Sequence, residues 1–550
     1  MVQETTKITG GLVVDGSGAP ARKSDVLIAG DAIQSVGESI PEKGDIIIDA
    51  TGLHVVPGFI DMHGHSDLVI MGNPLCPEKI LQGVTTDVVG NCGVSIAPST
   101  QKSIELYGQV LVNVMGGDKT PPIPDHEKLF EKLAEMGHSL NIAALVPQGN
   151  IRVSVMGIDT SPASNDKMDE MKAILDRCMV AGAFGMSTGL VYPPGSDTMT
   201  SELIELAKVL KNHGGFYASH IRNEMKGVID AIEEAIRIGR EAGVGVEISH
   251  LKAAINDRAT PKMLATIQAA RDAGIDVTAD MYPYTAGATS LGAIILPGWL
   301  LAKSGPELTR TMMDPSTKKR VYDEALANLL RFAKISPGFR HVIPRALVSF
   351  FIGMLAKRVI VTKVGVSREG VAGRRLDVIL KTDPGLANEK GLIDKTLAFL
   401  GREQGDVIIC MFQEDEVKTL IPIMKAPYVM IGTDNIIGHP RTWGCYPRLI
   451  GTYVRDKGVL TLEEAIRKST SLPASRLGLA DRGLIRPGCK ADIVTFDLAT
   501  IKDNATYENW TLPPTGIKHV FVNGVLTAMD GKHLKVKAGT VLKNKKRGIA

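Results

Sequence analysis

Two histidines one residue apart follow an apolar run near the start of the chain. The segment P-G-F-I-D-M-H-G-H-S-D places His63 and His65 just beyond Phe59 and Ile60, with one glycine between them. Alternate residues of an extended strand point to the same side, so both imidazoles are predicted to face one site. Imidazole is a common metal ligand in proteins.

Other candidate ligands also end apolar runs. Cys92 follows V-T-T-D-V-V-G-N, His220 and His250 end G-F-Y-A-S-H and G-V-E-I-S-H, and Asp434 ends Y-V-M-I-G-T-D. Imidazole and thiolate together favour zinc over magnesium or calcium, and a nearby carboxylate can move protons. The sequence therefore predicts a zinc site with Asp434 as its acid/base.

Each of these residues has a structural alternative when it is taken alone. A lone histidine is more often structural than a ligand, and Cys92 could be a small buried core residue. Their shared position at strand ends favours the metal site. For His439 both roles stay open, because it lies in the loop just after Asp434.

The long middle of the chain alternates strand-like runs with helical segments. Strand-like runs such as A-F-G-M-S-T-G-L at 183 and D-V-I-I-C-M at 406 are separated by amphipathic stretches. About eight βα units predict an α/β fold, a (β/α)8 TIM-like barrel over residues 58–480, with functional residues at the carboxyl ends of its strands. The stretch at about 290–405 is too long for one unit and is predicted to be an insertion on the active face.

Both ends of the chain have a different sequence pattern from the middle. Residues 1–57 and 481–550 contain short β-branched runs that are cut by Gly and Asp. They are predicted to form one small composite β-sandwich.

The bulk composition excludes several classes of protein. The 550 residues have a formal net charge of only +3, so no nucleic-acid partner is expected. The six cysteines show no disulfide or zinc-ribbon spacing. The apolar stretch A-L-V-S-F-F-I-G-M-L-A (346–356) is too short to span a bilayer. We expect a cytoplasmic protein without a membrane partner; the sequence carries no signal for its oligomeric state.

These motifs resemble the metal-dependent amidohydrolase superfamily, whose signature is V-P-G-F-I-D-x-H-x-H. Many members carry a carboxylated lysine after the fourth strand, and 183–192 has no lysine here, which argues against the dihydroorotase and hydantoinase branch. The chain is more similar to the N-acyl-D-amino-acid deacylase (D-aminoacylase) family along nearly its whole length. The matching segments are G-N-C-G-V-S-I-A-P (90–98), Y-A-S-H-I-R-N-E (217–224), E-I-S-H-L-K (247–252), D-M-Y-P-Y-T-A-G (280–287) and G-H-P-R-T-W-G-C-Y-P-R (438–448).

The resemblance implies how the ligands are shared. Cys92, His220 and His250 would hold a tightly bound zinc, while His63 and His65 would hold a second, weaker metal or help the first.

The resemblance also implies a reaction and a substrate. Asp434 matches the general acid/base, and Lys252, Tyr192 and Tyr282 match residues that hold the substrate's α-carboxylate. The expected activity is hydrolysis of N-acyl-D-amino acids, which are small molecules, to a carboxylate and a free D-amino acid. One alternative is a related amidohydrolase that acts on a cyclic amide or imide or on a D-residue dipeptide. Another is a non-catalytic metal-binding scaffold.

Two positions depart from the family pattern. Ala288 stands where a hydroxyl residue is common, and Thr289 or Ser290 could compensate for it. Gln148 stands where relatives often have a histidine. Either change could alter the substrate without abolishing hydrolysis.

Overall fold

The structure is a computed structural model of the chain. It describes residues 4–105, 121–157, 159–301, 303, 305–332, 345–367 and 370–545, without the side chains of 331, 332, 345–349 and 351.

The described strands fall into four sheets. In chain order they are β1 (Thr5–Val13), β2 (Arg22–Ala29), β3 (Ala32–Gly37), β4 (Ile46–Asp49), β5 (His54–Pro57), β6 (Phe59–Asp61), β7 (Val84–Val89), β8 (Asn141–Ala144), β9 (Val146–Pro147), β10 (Gly185–Gly189), β11 (Phe216–His220), β12 (Gly245–Ile248), β13 (Val277–Met281), β14 (Ala286–Ser290), β15 (Val359–Val364), β16 (Arg374–Arg375), β17 (Val407–Phe412), β18 (Val429–Ile431), β19 (Ile493–Phe496), β20 (Ile517–Val522), β21 (Val525–Met529) and β22 (Lys532–His533).

Helices separate most of the central strands. In chain order they are α1 (Pro77–Ile80), α2 (Gln101–Ser103), α3 (His126–Met136), α4 (Gln148–Met156), α5 (Asn165–Ala181), α6 (Thr200–Lys211), α7 (Val228–Ala242), α8 (Thr260–Asp272), α9 (Leu291–Ile295), α10 (Gly298–Leu301), α11 (Gly305–Met313), α12 (Pro315–Phe332), α13 (Arg345–Ala356), α14 (Leu376–Thr382), α15 (Leu392–Arg402), α16 (Ile421–Lys425), α17 (Arg441–Arg448), α18 (Leu462–Ser469) and α19 (Ser471–Leu477).

Two parallel sheets form the centre of the molecule. One has the order β18-β13-β12-β11-β10-β9, and the other has the order β6-β7-β8. Backbone hydrogen bonds join their edges: Phe184 N donates to Ala144 O at 2.9 Å, and Met62 N donates to Ile431 O at 3.4 Å. The carboxyl ends of these strands therefore lie at one common edge.

The helices between the parallel strands form because local signals agree with burial. Helix α5 begins after Ser164, whose side chain accepts a hydrogen bond from Lys167 N, and ends at Gly182 in the left-handed region. Its buried residues Met168, Met171 and Leu175 recur every three or four positions. This spacing packs one face of the helix against the sheet.

The two ends of the chain share one nine-stranded sheet. Its order is β22-β21-β20-β19-β5-β1-β2-β3, and β4 pairs with β1. Strand β19 pairs antiparallel with β5, so the C-terminal strands complete a sheet that the N-terminal strands begin.

A separate antiparallel sheet occupies the segment between Tyr282 and Asp434. Its order is β14-β17-β15-β16, and helices α9 to α15 surround it with a hydrophobic cluster of their own. The prediction of a barrel strand at 406 is wrong: β17 forms there, but it pairs antiparallel with β14 and β15. An all-apolar strand is compatible with either kind of sheet, so its pattern could not identify its partners.

No helix in the described part of the chain is both long and apolar enough to cross a membrane. All six cysteines are free and buried.

Candidate metal centre

The predicted site residues lie at or just beyond the carboxyl ends of the parallel strands. His220 is the last residue of β11, His250 stands two residues beyond β12, and Cys92 and Asp434 stand three residues beyond β7 and β18. These positions agree with the prediction that the site residues follow the carboxyl ends of the strands.

The His63–His65 pair reaches the same place by a different route from the predicted one. Strand β6 already ends at Asp61, so strand alternation does not orient the two rings, whose centroids lie 5.3 Å apart. The bend that follows packs closely: a Cβ on Gly64 would stand 1.8 Å from Asp87 Oδ1. Glycine is needed at position 64 because a larger residue would displace that carboxylate.

Three site residues hold strained backbone conformations. Cys92, His250 and Asp434 have φ angles of 52°, 35° and 44°, in a region that non-glycine residues seldom adopt. Such strain persists where the surrounding structure fixes it, and it is concentrated at functional sites.

The five predicted ligands form one buried cluster. Cys92 Sγ lies 3.3 Å from His63 Nε2, 3.7 Å from His220 Nδ1 and 3.6 Å from His250 Nε2. His220 Nδ1 and His250 Nε2 are 2.9 Å apart. His65 Nε2 approaches Asp434 Oδ1 at 3.3 Å.

This cluster fits a zinc ion. Ligand atoms bound to tetrahedral zinc at their usual distances stand roughly 3.3 to 3.7 Å apart, which is close to the separations around Cys92 Sγ. Nδ1 of His65 and Nε2 of His220 are buried without a hydrogen-bond partner, as expected for atoms that face a cation. Three overlapping groups could each hold an ion: His63, Cys92 and His250; His63, His65 and Asp434; His220, Glu224 and His250.

Two acidic residues that the sequence analysis missed surround the ligands. Asp280 Oδ2 lies 3.2 Å from His63 Nδ1, and its Oδ1 accepts a hydrogen bond from His250 N at 2.8 Å. Glu224 Oε1 lies 3.0 Å from His250 Nδ1. Carboxylates in such positions orient a metal-binding imidazole and raise its basicity. Both residues lie in motifs quoted above. For Asp280, its place near the carboxyl end of β13 is the sequence feature that could have indicated a role in the site.

Asp434 is paired with Arg441, which the sequence analysis also missed. Arg441 Nη2 lies 2.8 Å from Asp434 Oδ2, and Arg441 Nε donates to the backbone oxygen of Asp434. Burial raises the pKa of Asp434, but the charge of Arg441 and a hydrogen bond from His65 outweigh it, so the pKa lies well below its usual value. Asp434 is therefore ionised at neutral pH.

The three predicted carboxylate-binding residues lie around the cluster. Lys252 Nζ donates to Glu224 Oε1 at 2.7 Å and stands 5.7 Å from the centre of the Tyr282 ring. Arg441 stacks on the same ring at 4.1 Å, and Tyr192 packs against His220 with ring centroids 5.3 Å apart. Lysine, arginine and two phenols thus border one edge of the metal centre.

The remaining ambiguous residues have structural partners. His439 Nε2 lies 3.0 Å from Ala286 O, and its Nδ1 accepts a hydrogen bond from Arg441 N, so it supports the Arg441 loop. Gln148 Nε2 donates to Thr198 Oγ1. Ser290 Oγ accepts a hydrogen bond from Ala293 N at 3.3 Å, and Ala288 lacks a hydroxyl.

A buried lysine lies beneath the metal centre. Lys79 Nζ donates to Asp61, to Asp87 at 3.3 Å and to Thr433 Oγ1 at 2.8 Å. Asp61 Oδ1 also accepts hydrogen bonds from the backbone of His63 and Thr433. Lys79 therefore connects the loops that carry His63 and Asp434.

Comparisons with known proteins agree with this arrangement. The profile described as the Amidohydrolase family matches residues 47–288 and 386–528. D-aminoacylase of Alcaligenes xylosoxydans xylosoxydans is 32% identical over 541 residues, covering 97% of this chain and 96% of that protein. N-acyl-D-glutamate deacylase of the same organism is 34% identical over 523 residues, covering 94% and 92%. The crystal structure of N-acyl-D-glutamate deacylase from Bordetella bronchiseptica, complexed with zinc and a phosphonate inhibitor, superposes with a TM-score of 0.77 at 32% identity, covering 99% of this chain and 100% of that one.

The fold and the buried His/Cys/Asp cluster thus define a hydrolase of amide bonds. The chain belongs to the amidohydrolase family and, within it, to the N-acyl-D-amino-acid deacylases that include D-aminoacylase.

Proposed function

We propose that the chain hydrolyses the amide bond of N-acyl-D-amino acids with the help of zinc, giving a carboxylate and a free D-amino acid. The observation that carries this proposal is the cluster of Cys92, His220 and His250 beside the ionised Asp434. The deacylase relatives, which act on N-acyl-D-amino acids by name, supply the substrate class.

In this proposal the metal ligands divide as the sequence resemblance implies. Cys92, His220 and His250 would hold the tight zinc, since their ligand atoms lie within 3.7 Å of one another, while His63 and His65 would hold a second, weaker metal or help the first. Zinc supplies Lewis acidity, which activates water and polarises a carbonyl.

Asp434 is the proton carrier. Because Arg441 and His65 keep its carboxylate ionised, it can accept a proton from the attacking water and return it to the leaving amine. Lys252, Tyr192 and Tyr282 bind the α-carboxylate, with Arg441 as a further cation at the same edge. A carboxylate next to the scissile amide requires such charged and hydroxyl donors.

The finer architecture belongs to the same proposal. The two central sheets close into a (β/α)8 barrel over 58–480, supported by the hydrogen bonds at Phe184 and Met62. The antiparallel unit is an insertion on its active face. The predicted bounds are about 290–405, and its sheet runs slightly beyond them, from β14 to β17. The family profile leaves 289–385 unmatched. The nine-stranded sheet is the core of the composite terminal unit, 1–57 and 481–550. Six free cysteines agree with a cytoplasmic location.

A chelation experiment separates this proposal from a cyclic-amide hydrolase and from a scaffold. The protein is stripped with a chelator, reloaded with zinc, and assayed on N-acetyl-D-amino acids, on D-residue dipeptides and on cyclic imides. We expect zinc to restore hydrolysis of the linear N-acetyl substrates. Faster turnover of a cyclic imide or a dipeptide would contradict the proposed substrate, and inactivity on all of them would contradict the enzyme.

A further inference from the structure

Positive charge is concentrated in one segment of the chain. Residues 301–375 contain fifteen Lys and Arg and five Asp and Glu, a formal net charge of +10, whereas the whole chain has a net charge of only +3. The rest of the chain is therefore net negative. The family profile leaves 289–385 unmatched, so this charge lies in a part of the chain that the profile does not match.

Helix α13 in this segment exposes apolar side chains. Phe350 and Met354 are 60% and 45% exposed, and because they are four residues apart they lie on one face of the helix. Ile352 and Ala356 are buried in the hydrophobic cluster of the antiparallel unit. The helix thus has apolar residues on its exposed face as well as on its packed face.

Basic residues continue from this apolar face. Lys357 and Arg358 are exposed immediately after α13. Arg374 and Arg375 form the edge strand β16, which pairs with Val361 and Ile360 just beyond Arg358, and both are exposed. We call Phe350, Met354, Lys357, Arg358, Arg374 and Arg375 the basic face. Within it, Arg375 pairs with Asp377 at 2.8 Å.

We propose that the basic face docks on the surface of an anionic lipid bilayer. An interfacial helix buries apolar side chains at the headgroup boundary while its basic neighbours attract anionic lipid. A second copy of the chain is a poor occupant, because a face-to-face dimer would place these like charges against each other. A surface contact needs no helix that spans the bilayer, and α13 has only twelve residues.

Vesicle co-sedimentation of the full zinc-loaded chain tests this docking directly. The probes are vesicles of phosphatidylcholine alone and of phosphatidylcholine mixed with phosphatidylglycerol. We expect binding to the mixed vesicles that weakens as salt is raised. Two variants, Met354→Glu and the pair Lys357→Glu with Arg358→Glu, are each expected to lower the partition coefficient at least about tenfold.

Matched changes on the terminal sheet serve as controls. Ile47→Glu alters another exposed apolar residue, 63% exposed on β4, and Lys532→Glu with Lys535→Glu makes the same charge change at exposed positions. Both should bind as the unaltered chain does. The proposal is overturned if the chain binds no vesicles, binds neutral and anionic vesicles equally, or loses as much binding in the controls. It is also overturned if Met354→Glu changes only self-association in sedimentation velocity. None of these readouts depends on deacylase activity.

Discussion

At the scale of single residues, the proposed proton transfer depends on the pairing of Asp434 with Arg441. The arginine keeps the carboxylate ionised, and the left-handed backbone at Asp434 directs that carboxylate toward His65. A base that stays charged in a buried site can accept a proton at neutral pH.

The variant Asp434→Asn tests the role of this carboxylate. We expect turnover to fall by about 10²- to 10⁴-fold, the usual contribution of a general acid/base, while one zinc per chain stays bound to Cys92, His220 and His250. Initial rates and metal analysis on the same sample check both statements. Asp530→Asn, at an exposed ion pair with Lys518, is the control and should keep full activity; equal rates for the two variants would refute the role.

The variant Cys92→Ser tests the thiol as a ligand. Burial raises the pKa of Cys92, but His63 and hydrogen bonds from His220 and His250 bring it well below its usual value, so a thiolate is available to a metal. We expect the variant to lose zinc during dialysis that leaves the unaltered protein loaded. Cys178→Ser, a change at a buried cysteine of α5, should retain zinc; retention by both variants would exclude Cys92 as a ligand.

The sequence pointed to the residues that the structure brings into one cluster, but not to their partners. His63, His65, Cys92, His220 and His250 could be found because each follows an apolar run. Glu224, Asp280 and Arg441 could not be singled out, since their roles depend on which loops meet in space. Lys252 shows the same limit: its sequence predicts a cation, and only the fold shows its pairing with Glu224.

At the scale of elements, Lys79 joins α1 to β6, to β7 and to the loop after β18. Removing it would leave Asp61 and Asp87 buried without their cation. For the variant Lys79→Met we expect a loss of about 3 to 5 kcal/mol in the free energy of unfolding, measured by denaturant titration. Lys128→Met removes an exposed pair with Glu131 and should cost no more than about 1 kcal/mol; similar losses in both variants would contradict this role of Lys79.

Helix α3 carries a pH-dependent contribution to stability. His126 is buried at its start, with Nε2 3.1 Å from Leu145 O, and burial lowers its pKa from 6.5 to about 4. Below pH 6.5 the unfolded chain binds a proton that the folded chain does not, so the free energy of unfolding falls as the pH falls toward 4.

The variant His126→Gln should remove this contribution. Between pH 7 and pH 5 we expect the unaltered protein to lose roughly 2 kcal/mol more than the variant, measured from denaturant midpoints. His213→Gln, at a histidine paired with Asp176, should lose stability as the unaltered protein does. Identical pH profiles for His126→Gln and the unaltered protein would contradict the assignment.

Element positions were more predictable than element partners. The strand that ends at His220, the strand that ends two residues before His250 and the helix between them followed from apolar periodicity. Strand β17 was found at its place but belongs to the antiparallel sheet, and β6 ends too early for strand alternation to orient His63 and His65. Both differences arise because the spacing of apolar residues indicates which residues are buried. It does not indicate which strands pair with one another.

At the scale of the whole molecule, the chain combines the framework that the family profile matches with a basic segment that the profile leaves unmatched. The family profile covers the metal centre and part of the terminal sheet, while the basic segment 301–375 lies outside it. The metal chemistry can therefore be inferred from the relatives, and the basic face requires its own test. The net charge of the whole chain does not show this asymmetry, because the negative charge of the remaining residues cancels most of the positive charge of the segment.

The central claim is that the zinc-loaded chain hydrolyses N-acyl-D-amino acids. The most direct measurement is the initial rate on paired N-acetyl-D and N-acetyl-L forms of the same amino acid, with the zinc content per chain determined on the same sample. The account predicts hydrolysis of the D form with the L form at least about 100-fold slower, a ratio within reach of differential binding. Equal rates for the two forms, or no hydrolysis of the D form at one zinc per chain, would contradict it.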